Sequence, residues 1–217
     1  MQIHYISEAN SVLNHFLGQI RNIHVQKDSM RFRRNIERIG EIMAYELSKD
    51  LVYKNVEITT PLGIKKTTEI ANELVLCSIL RAGLPLHLGF LNYFDAAENG
   101  FVSAYRHHHN NGDDFTIKVE YQAVPNIEDK TLLLIDPMLA TGHSMVAVFN
   151  TLLEKGNPKE IHIAVVIAAP EGVAYLKDQL PDNCHLWVAT LDEKLNGKNY
   201  IVPGLGDAGD LAYGSKL

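Results

Sequence analysis

"LLLIDPMLATGHSM", residues Leu132 to Met145, is the stretch on which the reading of this chain turns. An apolar run ends on one carboxylate, Asp136, and passes through Pro137, Met138 and Leu139 into the small and hydroxyl residues Ala140, Thr141, Gly142 and Ser144. Continuously apolar runs of this length suit a strand buried on both faces of a parallel sheet. Beyond Ser144, the residues Met145, Val148, Phe149 and Leu152 recur at helical spacing, and Lys155, Gly156 and Pro158 supply stop signals. The stretch therefore reads as strand, turn, helix. Ligands of open parallel sheets bind beyond the carboxyl ends of the strands, where Asp136 and the following turn fall.

Outward from this unit the pattern repeats. Short apolar runs at Leu74–Leu80, Phe101–Tyr105, Thr131–Ile135, Ile161–Ala168 and His185–Thr190 alternate with helical segments at Pro85–Ala97, Ser144–Lys155 and Glu171–Leu180. Alternation of this kind predicts an α/β fold with a parallel sheet flanked by helices. Residues 106–126 read as a long excursion or hairpin. From Asp28 to Leu51 the positions Phe32, Ile36, Ile39, Met43 and Leu47 mark an amphipathic helix, with Arg31, Arg34, Arg38 and Glu41 on a solvated face.

Composition bounds the function. At 217 residues and 46% hydrophobic content the chain builds one sizeable core, and residues 1–217 are read as a single domain. The formal net charge of −6 gives no support for broad nucleic-acid binding. No apolar run approaches the ~20 residues that span a bilayer, and no export signal is visible, so the expectation is no membrane partner and a cytoplasmic setting. Cys77 and Cys184, each in an apolar stretch, are expected to be buried free thiols.

Three stretches fall at strand ends: "CSILRAG" with Arg81, "SAYRHHH" with Arg106, and the opening one with Asp136, Thr141 and Ser144. A helix N-terminus with nearby hydroxyls is an anion site suited to phosphate; the plainer alternative is that Thr141 and Ser144 only cap the helix. A carboxylate directly after a buried strand needs a partner such as ligand hydroxyls or a hydrated metal. "YIVPGLGDAGD" contains G-x-G-x-x-G at Gly204, Gly206 and Gly209. Only eight residues follow it, which excludes a dinucleotide fingerprint and leaves a backbone-rich segment for a flat ligand or an ordinary loop. His107, His108 and His109 read as a solvated loop, and no metal-ligating side chain is assigned.

With these residues in place, the sequence closely resembles the uracil phosphoribosyltransferases. "RFRRNIERIGEIMAYE", "ILRAG", "YR", "IDPMLATG", "AAPEG" and "YIVPGLGDAGD" occur in family order along nearly the whole chain. The resemblance implies transfer of ribose 5-phosphate from phosphoribosyl pyrophosphate (PRPP) to N1 of uracil, with Mg²⁺. It implies a phosphoribosyltransferase-type sheet with an N-terminal helical extension, a flexible loop or hairpin and a C-terminal base-binding segment, assembled as a homo-oligomer. Carried over residue by residue, PRPP is held by Arg81, Arg106, Asp136, Pro137, Met138, Leu139, Ala140, Thr141, Gly142, His143, Ser144 and Asp207. Uracil is read by Ile201, Gly206, Asp207 and Ala208, and catalysis falls to Asp136, Arg106 and Asp207.

Two departures stand out. His143 replaces a family glycine; if that position requires φ > 0 or close backbone approach, the histidine is strained by about 1–3 kcal/mol and its ring adds a phosphate donor. Near the end of the long excursion, where the family carries a lysine, stand Gln122 and Ala123, with Lys118 as a possible substitute. Two other readings stay open at this stage: a nucleotide-sensing nucleic-acid-binding regulator on the same fold, and an enzyme for another base such as a purine.

Overall fold

The computed structural model describes residues 1–108 and 115–215, with side chains outside 105–118. In chain order the elements are β1 (Gln2–Tyr5), α1 (Val12–Arg21), α2 (Ser29–Ser48), β2 (Tyr53–Thr60), β3 (Gly63–Ile70), β4 (Leu74–Leu80), α3 (Gly83–Leu91), β5 (Glu98–His108) and β6 (Phe115–Ala123). There follow β7 (Thr131–Ile135), β8 (Met138–Leu139), α4 (His143–Leu152), β9 (Glu160–Ala168), α5 (Pro170–Gln179), β10 (Cys184–Leu191), β11 (Lys194–Leu195), β12 (Ile201–Val202) and α6 (Ala208–Tyr213).

The main sheet runs β1-β10-β9-β7-β4-β5-β6, parallel except for β6, which returns antiparallel to β5; β8 adds to β9. The chain crosses from β4 to β5 on one side and then to β7 on the other. Strand order therefore reverses between β4 and β7, and a crevice opens at their carboxyl ends. Every residue of β7 is buried, as expected for a strand covered on both faces.

One face of the sheet, with Leu76, Leu133, Ile135, Val166 and Trp187, packs on α1, α2, α3 and α6. The other, with Leu132, Leu134, Ile163 and Val188, packs on α4 and α5. Truncating one of these enclosed leucines to alanine costs about 2–5 kcal/mol. Asp28 starts α2 by accepting from the Arg31 N–H at 3.0 Å. Arg31 and Arg34 lie on the solvated face as the sequence suggests, whereas half-buried Arg38 sits over the Phe16 ring and donates to Asn35.

Several expectations need adjustment. The third helix ends at Leu91, not Ala97, and β1, α1 and the β2–β3 hairpin were not among the predicted elements. The excursion is a hairpin, β5 against β6. Cys77 and Cys184 are both buried free thiols. Among the described residues no helix is long and apolar enough to cross a membrane.

Candidate active site

The crevice at the β4/β7 reversal holds a pocket of about 580 Å³. It is lined by Arg81 after β4, Asp136 after β7, Met138, Ala140 and Ser144 on the turn into α4, and Ile201, Gly206, Asp207 and Ala208 from the C-terminal segment. Chain-distant residues thus converge because each follows a strand or opens a helix at one end of the sheet.

Asp136 is fixed by a turn of its own: its Oδ1 accepts from the Met138 N–H at 3.1 Å, while its N–H donates to the Ala164 carbonyl. Desolvation pushes its carboxyl up to about 7; the Met138 bond opposes this and the Asp207 carboxylate adds to it. A desolvated carboxyl lining a crevice, with a second carboxylate acting on it, marks a functional-site candidate.

No side chain caps α4, so Thr141 and Ser144 are not N-caps here. The first-turn N–H groups of Ser144 and Met145 have no acceptor within the helix, and the dipole behind them favours an anion. Gly142 opens the helix in the left-handed region at φ 84°, and a Cβ there would stand 2.9 Å from the Tyr175 ring. The glycine requirement therefore lies at 142. His143 itself begins the helix with ordinary backbone and stacks on Tyr175, ring centroids 4.4 Å apart, so the conditional expectation of strain is not met. Pro137, Leu139, Thr141, Gly142 and His143 shape the turn without lining the pocket.

Arg81 donates through Nη2 to Asp210 (3.3 Å) and to the Gly214 carbonyl (3.1 Å), and its enclosed Nε makes no hydrogen bond. Arg106 lies on β5 opposite Ile117; its side chain, like those of His107, His108 and Lys118, is outside the described side chains, and His109 is outside the described residues. Gln122 donates to the Thr151 carbonyl at 3.5 Å.

The C-terminal segment is held by a strap that sequence reasoning missed. Arg21, at the end of α1, grips Asp192 with two bonds of 2.9 and 2.5 Å and also donates to the Gly204 carbonyl at 2.9 Å. Asp192, only 8% exposed, in turn accepts from the Gly204 N–H at 2.7 Å. Gly204 turns at φ 61°, where a Cβ would press on the Ile201 carbonyl at 2.2 Å. Asp207 caps α6 by accepting from the Asp210 N–H at 2.9 Å. Lys198, Asn199 and Tyr200, between β11 and β12, also line the pocket. Tyr200 opens the "YIVPG" stretch, and Lys198 and Asn199 directly precede it.

A switch-point pocket with an uncapped helix N-terminus, a strand-end carboxylate and a backbone-rich segment defines a phosphoribosyltransferase-type site. The fold is shared with a hypoxanthine phosphoribosyltransferase structure from Staphylococcus aureus at TM-score 0.51 and 15% identity, over 87% of this chain and 84% of that one. Within this class the chain belongs to the uracil phosphoribosyltransferase family, whose sequence profile matches residues 7–215. It is 51% identical over 217 residues to the uracil phosphoribosyltransferase of Porphyromonas gingivalis, covering 100% of both chains. To that of Shouchella clausii it is 42% identical over 209 residues, covering 94% of this chain and 95% of the other. A solved protein of Aquifex aeolicus superposes at TM-score 0.86 with 29% identity, over 98% of each chain.

Proposed function

We infer that the protein is a uracil phosphoribosyltransferase: it joins C1 of ribose 5-phosphate to N1 of uracil, breaking the bond from C1 to pyrophosphate and giving UMP. The N1 proton leaves to water or to the departing pyrophosphate. The observation that carries this reading is the opening of the α4 N-terminus, Asp136 and the segment Ile201–Ala208 onto one pocket.

In this reading the turn Ala140–Ser144 and the α4 N-terminus hold the 5-phosphate, and Asp136 accepts from the ribose hydroxyls. Arg81 exchanges its Asp210 contact for pyrophosphate, joined there by Arg106; guanidinium groups stay charged and match the charge that grows as C1 becomes oxocarbenium-like. Ile201, Gly206, Asp207 and Ala208 present main-chain groups to uracil. Rate comes from positioning and charge stabilisation without a covalent nucleophile.

A metal-dependent PRPP reaction is a property of the family, and the metal we propose is Mg²⁺. The donors fit it: Asp136 and Asp207 are hard oxygen ligands whose mutual repulsion a divalent cation relieves. Asp207 with oxygens of PRPP would hold the ion, which would neutralise charge on the leaving group. One globular unit over 1–217, a cytoplasmic setting and homo-oligomeric assembly belong to the same reading. The apolar tips of the exposed β2–β3 hairpin, Ile58, Leu62 and Ile64, support the last.

The test is product formation from PRPP and Mg²⁺ with uracil, cytosine, hypoxanthine or orotate. UMP from uracil alone is expected. Salt-sensitive nucleic-acid binding without turnover, or preference for another base, would overturn the assignment.

A further inference from the structure

Away from the pocket, near the amino ends of the strands, three histidines gather on the sheet face that α2 covers. His185 on β10 stands in register with His162 on β9 and with Gln2 on β1, and the two-residue alternation brings His4 to the same face. Asp50, two residues beyond α2, reaches the cluster from above. His4 Nε2 lies 3.4 Å from His185 Nδ1 and 3.5 Å from Asp50 Oδ2. All three residues offer ligand atoms within 4.8 Å of one another.

These spacings are long for hydrogen bonds, which centre near ~2.9 Å. They match the edge of a tetrahedron around a metal. With ligands about 2.1 Å from the ion, neighbouring ligand atoms stand about 3.4 Å apart. The rings are also held in place before any ion arrives. His4 lies flat on Trp187, centroids 3.8 Å apart and planes 5° from parallel, and the Trp187 N–H is anchored on His162 Nδ1 at 3.0 Å. His185 stacks on His162, ring centroids 4.9 Å apart, and its Nε2 lies 3.9 Å from Glu160 Oε1, beyond hydrogen-bond reach. Partial exposure of His4, Asp50 and His185 leaves a path for an ion and a water.

We propose that His4, Asp50 and His185 form a site for a divalent transition ion of the zinc class, with water completing the coordination. Two imidazoles and one carboxylate select such an ion over Mg²⁺ or Ca²⁺, which take oxygen donors. The ligands come from a four-residue edge strand, the end of α2 and an interior strand. The ion therefore acts as a clip that closes long loops and holds β1 to the sheet.

The experiment is equilibrium dialysis of the untagged full chain against micromolar Zn²⁺ with excess Mg²⁺ present. One Zn²⁺ per chain is expected, and Asp50→Asn or His4→Gln should abolish retention while Asp50→Asn keeps the turnover of the wild type. Co²⁺ in place of Zn²⁺ should give the visible absorption of a tetrahedral site in the wild type and lose it in Asp50→Asn, a solvent-accessible change that spares the core should His4→Gln fail to fold. The proposal is overturned if the wild type retains no Zn²⁺, or if retention survives Asp50→Asn. It is equally overturned if retention is lost instead on changing Asp207 or the run His107–His109.

Discussion

Replacing Asp136 by asparagine should stabilise the ligand-free protein while destroying its activity, and the two effects should part company with pH. Burial lifts the folded-state carboxyl from the ordinary 3.8 to about 7. Between those values the unfolded chain is ionised and the folded chain binds the proton, so folding takes up a proton and stability falls as pH rises. The loss begins near pH 4 and is complete above pH 7. At about 1.4 kcal/mol per pH unit the gap amounts to about 4 kcal/mol, reduced toward about 2 kcal/mol by water at the pocket mouth. Asparagine copies the protonated acid: its Oδ1 keeps the Met138 N–H bond and carries no charge. Urea unfolding in EDTA, without PRPP, should therefore find the variant equal to wild type near pH 4 and about 2–4 kcal/mol more stable at pH 8. Turnover with PRPP and uracil should fall by at least about 100-fold, since a partner for the ribose hydroxyls is gone. A stability difference that does not change with pH, or an asparagine variant that is weaker at pH 8, would refute the view of Asp136 as a carboxylate held against its solvation for a ligand.

Arg21→Ala leaves the buried Asp192 carboxylate without its cation, held by the Gly204 N–H alone, and should cost about 3–5 kcal/mol by thermal unfolding; in protein that remains folded, KM for uracil should rise more than KM for PRPP, because the Gly204 turn, which carries the base segment, loses the bond to its carbonyl. His143→Gly removes the Tyr175 stack and should lower stability by about 1 kcal/mol while leaving PRPP affinity within about twofold; a clear loss of affinity would make the imidazole a phosphate ligand. Cys77, pushed up to about 12 by burial, and Cys184, pushed up to about 11, should both resist thiol reagents at pH 8 in the native protein and react on unfolding.

The parts of this molecule legible in the sequence are those where one local rule decides. The run Leu132–Ile135 is apolar at every position because β7 is covered on both faces, and its termination at Asp136 marks the sheet's carboxyl edge. The strands β4, β9 and β10 follow the same rule. The β2–β3 hairpin obeys no such rule: most of its residues are exposed, so no buried face writes an alternation into "YKNVEITTPLGIKKTTEI". Strand β1 is four residues that become a strand only by pairing with β10. The pocket divides along the same line. Its phosphate side is one contiguous turn, whereas the strap that aims its base side joins Arg21, Asp192 and Gly204 across the chain, and no spacing announces it.

The same contrast explains the histidines. The run His107–His109, whose side chains lie outside those described, is conspicuous in the sequence only because its members adjoin. His4 and His185 lie 181 positions apart, and a shift of one residue in the β1–β10 register would turn His4 to the other face and dissolve the cluster. Register at that edge is set by Ile3 and Tyr5 packing on the opposite core layer, against Leu186 and Val188. The apolar packing of a four-residue strand thus decides whether three polar side chains meet, and a bound ion would in turn penalise the slipped register. Zinc retention and the stability of the β1 edge should therefore rise and fall together: exchange of the β1 amides in deuterated water should slow when Zn²⁺ is added to the wild type and stay unchanged in Asp50→Asn.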